Sequence, residues 1–367
     1  MKKIIYKNCK VGGILTDIEV TDGIISAIEV TDCDGIDLGG CDVFPGLIDI
    51  HTHGSNGHSI YGVDDESLIE NVKSISRYFA KNGITAWCPT TCSPAEKLGR
   101  FLSIDFDCID GARVLGLHLE GPYLSKNKAG AINPINMRLP NSGDFESYDK
   151  IKYVTVAPEL DGAIEYIKEM SGKVKISLGH TCADYDTTMR ALEAGADCLN
   201  HTFNAMPPIH HREPGPIGAA IDFGSYAEVI CDGVHLHPSI VRMIYRVFGK
   251  DKMIMVSDTV NGAGLPNGTF KIDGVERYIT DGVIRNGKGN LAGSWCHLFE
   301  DVKRVIGFGI PREDAYYMAS TTPAKYLGLN KGKIEVGYDA DFIAVTEKDE
   351  LIMTVIGGEV FCTQSVQ

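Results

Sequence analysis

Short hydrophobic runs alternate with helical patterns through the middle of the chain. In most of the runs, polar and apolar residues do not alternate. This is the pattern of parallel strands in a sheet that helices cover on both faces. Helical periodicity predicts helices over residues 66–81, 160–170, 185–194 and 239–248. Eight strand–helix units over about 290 residues predict a (β/α)8 barrel of the TIM type. The eight predicted strands are Phe44–Ile50, Ile84–Thr90, Arg113–Leu119, Ile151–Ala157, Val174–Gly179, Asp197–Asn200, Tyr226–Cys231 and Met253–Ser257.

Both ends of the chain have a different pattern, in which short Ile- and Val-rich strands alternate with glycine turns. We expect these ends to pair into one small β-sandwich domain formed by residues 1–44 plus 334–367, with residues 45–333 inserted as the barrel. Residues 259–290 are rich in Asn-Gly pairs and are predicted to form a long excursion after the eighth barrel strand. The predicted terminal strands are Lys2–Cys9, Ile14–Thr21, Ile24–Val30, Asp341–Thr346, Leu351–Ile356 and Glu359–Cys362.

Composition narrows the class of function. The 35 basic and 49 acidic side chains give a net charge of −14, and no long Lys/Arg run occurs, so neither nucleic acid nor an anionic membrane is an expected partner. No apolar stretch approaches the length of a membrane span. The 11 cysteines include no C-x-x-C pair and are typical of buried thiols in a reducing compartment, which predicts a cytoplasmic protein.

Histidines and acidic residues follow most of the predicted barrel strands. Because a barrel brings the carboxyl ends of its strands to one mouth, we expect these side chains to converge there. A single histidine at a strand end is more often a structural hydrogen-bonding group than a ligand, but this many together favour a site. The residues concerned are His51, His53, Glu120, His180, His201, Asp232, His235 and Asp258.

The residue types at this mouth predict a divalent metal site. His51 and His53 are two apart, so on an extended strand end they point to the same face. Imidazole and carboxylate suit borderline cations, and Glu120, His180 and His201 complete the set. Asp258 follows the last strand, where it is placed to take a proton from activated water. Ligand type alone does not select between Zn²⁺ and Fe²⁺, nor between one ion and two.

Nine short motifs follow one another along nearly the whole chain. They are Pro45-Gly-Leu-Ile-Asp-Ile-His-Thr-His-Gly54, His118-Leu-Glu-Gly-Pro122, Ser177-Leu-Gly-His-Thr181, Asn200-His-Thr-Phe-Asn-Ala-Met206, Arg212-Glu-Pro-Gly215, Asp232-Gly-Val-His235, Val256-Ser-Asp258, Leu291-Ala-Gly-Ser294 and Gly337-Tyr-Asp-Ala-Asp341. Taken singly, the His-x-His signature is shared by many hydrolases, whereas the whole series in order is specific. With these motifs the chain resembles the amidohydrolase superfamily, and within it the N-acetylglucosamine-6-phosphate deacetylases.

The resemblance implies hydrolysis of the acetamido group of a phosphorylated amino sugar, with release of acetate. It implies that Glu120, His180 and His201 hold the principal metal and that His51 and His53 hold a second ion. Asp258 would act first as base and then as acid. The substrate contacts that it implies are Arg212 to the phosphate, Asn204 and the Ala205 backbone to the sugar or phosphate, and His235 to the ligand, in a homodimer.

Two residues differ from the usual family pattern, and they leave the identity of the substrate undecided. Ile132 stands where the family usually has histidine, and Trp295 stands where a small residue is usual and is expected to narrow the pocket or stack on a sugar. The alternatives are therefore another N-acetyl amino-sugar phosphate, such as the galactosamine epimer, or another amide. A cyclic amide is disfavoured, because the fourth strand ends without the lysine that ring-opening members use. A barrel without catalysis is also disfavoured, because the ligand set is complete.

Overall fold

The computed structural model describes residues 2–60, 65–92, 98–144, 148–272 and 275–363. Residues 364–367 of the predicted terminal domain lie outside these ranges. Within the described ranges, no helix is both long and apolar enough to cross a membrane. The division into residues 1–44 plus 334–367 and residues 45–333 stays a prediction.

The strands and helices are numbered in chain order. The strands that precede the barrel are β1 (Lys3–Val11), β2 (Ile14–Thr21), β3 (Ile24–Ile28), β4 (Ile36–Asp37) and β5 (Asp42–Pro45). The strands of the middle of the chain are β6 (Leu47–Thr52), β7 (Gly54–Ser55), β8 (His58–Ser59), β9 (Ile84–Thr91), β10 (Arg113–Val114), β11 (Leu117–Glu120), β12 (Ile151–Val156), β13 (Lys175–Leu178), β14 (Cys198–Leu199), β15 (Tyr226–Ile230) and β16 (Met253–Val256). The remaining strands are β17 (Gly268–Ile272), β18 (Val275–Thr280), β19 (Val283–Asn286), β20 (Phe342–Val345), β21 (Leu351–Ile356) and β22 (Glu359–Thr363). The α-helices are α1 (Asp65–Lys81), α2 (Gly99–Ser103), α3 (Ala163–Met170), α4 (Tyr185–Ala194), α5 (Gly215–Phe223), α6 (Pro238–Phe248), α7 (Leu298–Gly307), α8 (Arg312–Ala319) and α9 (Thr321–Leu327).

Eight parallel strands form the predicted barrel, which is confirmed. They pair in the order β6, β9, β11, β12, β13, β14, β15 and β16. A parallel bridge between Thr52 and Thr259 brings the first and last strands together. The four predicted helices correspond to α1, α3, α4 and α6, with ends that differ by up to three residues.

Two predicted strands are each divided in the structure. The first run breaks at Gly46, so that β5 joins the terminal sheet and β6 joins the barrel. A Cβ at Gly46 would lie 2.2 Å from Thr85 Oγ1, so a side chain has no room at this crossing. The third run divides into β10 and β11 around Gly116, whose φ is +133°. A hydrophobic run in the sequence does not show such a break, because the residues on both sides of the glycine are apolar.

The apolar core lies on both sides of the barrel wall. Inside it, Ile48, Ile50, Ile254 and Val256 form one buried cluster with Tyr153. Outside it, a larger cluster packs the helices onto the strands. Complete burial of each such side chain stabilises the fold by about 1.5–3 kcal/mol. This packed wall fixes the strand ends, and therefore the polar residues that follow them.

The two chain termini meet in one strand-rich sheet, as the sequence predicts. Its strands run in the order β22, β21, β20, β5, β1, β2 and β3, with β4 added beside β1. Arg312 on α8 joins this sheet to the barrel, since its guanidinium is 2.8 Å from Asp42 and 2.6 Å from Asp349. The ring of Phe44 stacks on Tyr316 at 3.9 Å beside it. The sheet is thus held against the barrel helices.

The predicted excursion after the eighth barrel strand contains β17, β18 and β19, which form a small antiparallel sheet. Trp295 packs against its apolar cluster, and the indole N–H donates a hydrogen bond of 2.7 Å to the carbonyl of Leu265. The ring also lies 3.4 Å from the position of a Cβ on Gly282. Trp295 therefore anchors the excursion, and its contact with a sugar stays a prediction.

Candidate metal centre

Three candidate site residues adopt the same unusual backbone conformation at the barrel mouth. His180, His201 and Asp258 each stand two residues after the end of a barrel strand, with φ of +46°, +23° and +51°. This left-handed region costs a non-glycine residue about 1–2 kcal/mol. The conformation turns the chain away from the wall directly at the ligand, and strain of this kind concentrates at functional sites.

Close packing of two neighbouring strand ends also determines where the ligands His180 and His201 lie. Gly179 precedes His180, and a Cβ there would lie 2.6 Å from the Cβ of Asn200 on the next strand. Glycine lets these two strands approach closely, so that His180 and His201 meet at their ends. Their ring nitrogens Nε2 are 3.0 Å apart.

The predicted ligands come together in two overlapping groups. Glu120, His180 and His201 form one group, and His51, His53 and Glu120 form the other, with the ligand atoms of each within 4.8 Å of one another. Glu120 belongs to both. Its Oε1 lies 3.1 Å from His180 Nε2 and 2.9 Å from His201 Nε2, and its Oε2 lies 3.3 Å from His53 Nε2. Four histidine side chains, scattered from residue 51 to residue 201, therefore surround one carboxylate.

The hydrogen bonds around these rings fit a cation. His180 Nδ1 is 2.7 Å from the carbonyl oxygen of Lys128, which only accepts, so Nδ1 carries the hydrogen and the neutral ring has its lone pair on Nε2. That lone pair faces Glu120 and His201, which offer further electron pairs. His51 Nε2 is buried without a hydrogen-bond partner in the described part of the chain. A divalent cation can accept the electron pairs of nitrogen and oxygen atoms that point toward one another in this way. Histidine nitrogen together with carboxylate oxygen is a ligand set that Zn²⁺ and similar ions bind.

Electrostatic interactions keep the carboxylates of this centre ionised. Burial by itself would raise the pKa of Glu120, but His51 and His180 outweigh it and hold that pKa well below its usual range. Burial likewise opposes ionisation of Asp258, and the neighbouring His53 and His51 lower its pKa overall. Burial disfavours charge on His53 too, yet hydrogen bonds to Asp258 and Glu120 raise its pKa to about 9. Both acids are therefore available as anions at neutral pH.

Asp258 lies beside the two groups, as predicted. Its Oδ1 is 3.2 Å from His53 Nε2 and 3.6 Å from His51 Nε2. The backbone holds it in place, because its N–H donates to the carbonyl of His51 at 2.9 Å and its own carbonyl accepts from Ser294 at 2.8 Å. A carboxylate in this position can exchange a proton with a molecule bound at the centre.

His235 is oriented by the acid that precedes it by three residues. Its Nδ1 lies 2.7 Å from Asp232 Oδ2, and the other oxygen of Asp232 accepts from the backbone N–H of His235 at 2.8 Å. Burial disfavours charge on His235, but the bond to Asp232 raises its pKa overall. This arrangement leaves Nε2 of His235 for a ligand. The negative charge of Asp258 also raises the pKa of His235, by less than Asp232 does.

The three other predicted substrate residues lie in the loop that follows β14. The side chain of Asn204 donates to the carbonyl of His201 at 3.2 Å, and the carbonyl of Ala205 accepts from Thr181 at 3.1 Å. Ala205 has φ of +50°. Arg212 is exposed, and its guanidinium has no ion-pair partner among the residues that the structure describes. Asn204 and Ala205 are thus tied to the metal ligands, whereas no contact joins Arg212 to them.

Sequence reasoning missed two side chains of the centre. Glu228 on β15 is fully buried, with Oε2 3.0 Å from His51 Nδ1. Asn200 donates to Glu120 Oε1 at 3.0 Å. The sequence could have identified Glu228, because it is an acidic residue within a strand that is predicted to be buried, and a buried carboxylate needs a compensating partner. Asn200 is adjacent to His201, but nothing in its type indicated which way it points.

Comparisons with known proteins identify the family of this chain. The model of the Amidohydrolase family matches residues 43–361. The chain is 35% identical to an N-acetylglucosamine-6-phosphate deacetylase of Vibrio furnissii, over 92% of this chain and 88% of that protein. It is 32% identical to an N-acetylgalactosamine-6-phosphate deacetylase of Escherichia coli O157:H7, over 89% of this chain and 90% of that protein.

A crystal structure of N-acetylglucosamine-6-phosphate deacetylase from Pasteurella multocida has the same fold. It superimposes with a TM-score of 0.88 at 29% identity, and the match covers 98% of this chain and 99% of that one. The family match spans the barrel and the later strands of the terminal sheet, from β5 through β20 and β21 into β22, and it includes every predicted metal ligand. The chain belongs to the amidohydrolase family.

Proposed function

We propose that this protein is a metal-dependent deacetylase that hydrolyses N-acetylglucosamine 6-phosphate to glucosamine 6-phosphate and acetate. The observation that carries the proposal is the convergence of Glu120, His180 and His201, with Asp258 beside them, at the mouth of the barrel. Relatives at 32–35% identity that bear deacetylase names support the reaction.

In this proposal Glu120, His180 and His201 hold one divalent cation, and His51 and His53 hold a second with Glu120. A bound cation supplies Lewis acidity, which acidifies water and polarises the amide carbonyl. Asp258 takes a proton from the attacking water as the new C–O bond forms. It then gives that proton to the sugar nitrogen as the C–N bond breaks, so acetate and the free amine leave. His235, held by Asp232, is oriented to hydrogen-bond to the substrate.

The finer assignments are also proposals. Nitrogen and carboxylate donors suit Zn²⁺ and Fe²⁺, and we propose that one of these is the working metal. No disulfide bond joins any of the eleven cysteines, all of which lie in the described ranges, and this supports a reducing, cytoplasmic environment. The homodimer stays a prediction from the resemblance.

The experiment that tests the reaction is a substrate panel. Purified protein loaded with Zn²⁺ or Fe²⁺ is incubated with the 6-phosphates of N-acetylglucosamine and N-acetylgalactosamine and with unphosphorylated N-acetylglucosamine, and acetate is measured. We expect the highest kcat/KM for N-acetylglucosamine 6-phosphate. A preference for the galactosamine epimer would replace the proposed substrate, and no acetate from any of the three would refute the function.

Replacing Arg212 with alanine is expected to lower kcat/KM for the phosphorylated sugar by about 10- to 150-fold. A hydrogen bond to a charged group contributes about 1.5–3 kcal/mol, and Arg212 is exposed and without an ion-pair partner in the described structure. Steady-state kinetics measure the change, and His210→Ala in the same loop is the control. An unchanged kcat/KM would remove Arg212 from the phosphate site.

Replacing Ile132 with histidine is expected to raise kcat/KM for N-acetylglucosamine 6-phosphate by about 2- to 10-fold. Ile132 lies in the loop that contacts His180, since a Cβ on Gly130 would lie 3.3 Å from that ring, and one new hydrogen bond contributes about 0.5–1.5 kcal/mol. The control is Ile135→His, because Ile135 is 83% exposed in the same loop. A similar response from both variants, or a loss in Ile132→His, would contradict a substrate-facing position.

A further inference from the structure

Glu228 is a charged residue within a strand that is otherwise apolar. Its side chain is completely buried, and its neighbours Ala227 and Val229 are buried as well. Oε2 is 3.0 Å from His51 Nδ1, and Oε1 has no hydrogen-bond partner among the described residues. Within the same part of the chain, no lysine or arginine forms an ion pair with it. An isolated buried carboxylate costs several kcal/mol, so its compensation must come through His51.

The bond to Glu228 determines which nitrogen of His51 has a free lone pair. An ionised carboxylate only accepts, so His51 Nδ1 donates to Glu228 and the lone pair of the neutral ring is on Nε2. Nε2 faces Glu120 Oε1 at 3.4 Å and Asp258 Oδ1 at 3.6 Å. Glu228 thereby leaves His51 Nε2 with the lone pair that can bind a cation, and this nitrogen faces the shared carboxylate of Glu120.

The two ligand groups differ in what orients their histidines. The ring of His180 donates to a neutral backbone carbonyl, that of Lys128, whereas the ring of His51 donates to a carboxylate. A carboxylate partner raises the basicity of a ligating imidazole. The group of His51, His53 and Glu120 therefore has one further carboxylate beside it, that of Glu228, at the ring nitrogen of His51 that faces away from Glu120.

Three carboxylates lie around the ring of His51. Glu228 Oε2 is 3.0 Å from Nδ1, and Glu120 Oε1 and Asp258 Oδ1 are 3.4 Å and 3.6 Å from Nε2. Each of these side chains is buried or nearly so. A cation beside Nε2 would therefore have carboxylate oxygens as well as the ring nitrogen as neighbours, which are the ligand types that zinc-like ions take.

We infer that Glu228 is the positioning residue for a second cation: it fixes the tautomer and orientation of His51, so that His51, His53 and Glu120 can hold an ion beside the one held by Glu120, His180 and His201. This inference rests on the metal centre of the proposed function, and it does not depend on which sugar is the substrate.

The test is Zn²⁺ binding by the full chain, measured by equilibrium dialysis and elemental analysis without substrate. We expect two ions for the unchanged protein. Glu228→Gln should weaken one of the two sites by about 10- to 100-fold and leave the other unchanged. The matched control is Asp49→Asn, which removes a fully buried carboxylate that contacts the backbone N–H of His51 at 3.4 Å rather than its ring. Both sites should persist in that variant.

Several outcomes would overturn the inference: one ion in the unchanged protein, two unaltered affinities in Glu228→Gln, or an equal loss at both sites. Circular dichroism establishes that each variant is folded. If Glu228→Gln does not fold, Glu228→Asp replaces it, because it keeps the charge but withdraws the carboxylate by one methylene and should weaken the same single site. A selective loss of one ion in a protein that releases no acetate would refute the proposed reaction and leave the role of Glu228 intact.

Discussion

Replacing Asp258 with asparagine is expected to lower kcat for deacetylation by about 10²- to 10⁴-fold, the range that general acid–base groups contribute. Asparagine keeps the size of the side chain and tolerates the left-handed conformation at this position, where φ is +51°. It cannot accept the proton of the attacking water or return it to the leaving nitrogen. Acetate release at saturating N-acetylglucosamine 6-phosphate measures the loss.

The control for this variant is its metal content and thermal unfolding. Asp258 Oδ1 contacts His53 and His51, so the variant must be shown to retain its ions before the loss is assigned to proton transfer. An asparagine variant that turns over at nearly the original rate, with its metal present, would remove Asp258 from the role of base. A low rate that extra metal restores would identify it as a ligand instead.

Replacing Glu120 with glutamine is expected to abolish activity together with metal binding. Glu120 is the one residue shared by both ligand groups, so the substitution removes charge from each of them. Metal affinity should fall by more than about 100-fold, since even partners outside the ligand shell contribute 10- to 100-fold. Elemental analysis after dialysis and acetate release measured on the same sample check both expectations.

A chelator provides the reversible counterpart of the Glu120 variant. Removal of metal from the unchanged protein should abolish acetate release, and addition of Zn²⁺ or Fe²⁺ should restore it. The restored activity distinguishes loss of the ion from unfolding. Full activity in metal-depleted protein, or a Glu120→Gln variant that retains its ions, would contradict the proposed centre.

The sequence alone predicted the barrel and the position of its site. Hydrophobic runs mark buried strands wherever they occur, because burial on both faces excludes polar side chains. The residues after those runs face the mouth by the geometry of a parallel barrel, which is why Glu120, His180 and His201 were identified together with Asp258. These are local properties, readable from a few neighbouring positions.

Tertiary structure decided the features that depend on distant partners. Glu228 is 177 residues from His51, and no periodicity links a carboxylate on one strand to the ring that it orients on another. The hydrogen bond from the Trp295 indole N–H to the carbonyl of Leu265 was likewise not readable from the sequence, because the path of the excursion between them is set by long-range packing. Sequence therefore determined which side chains reach the mouth of the barrel. Only the fold determined which of them touch and which nitrogen each ring presents, because hydrogen bonds form between atoms that are close in space and not along the chain.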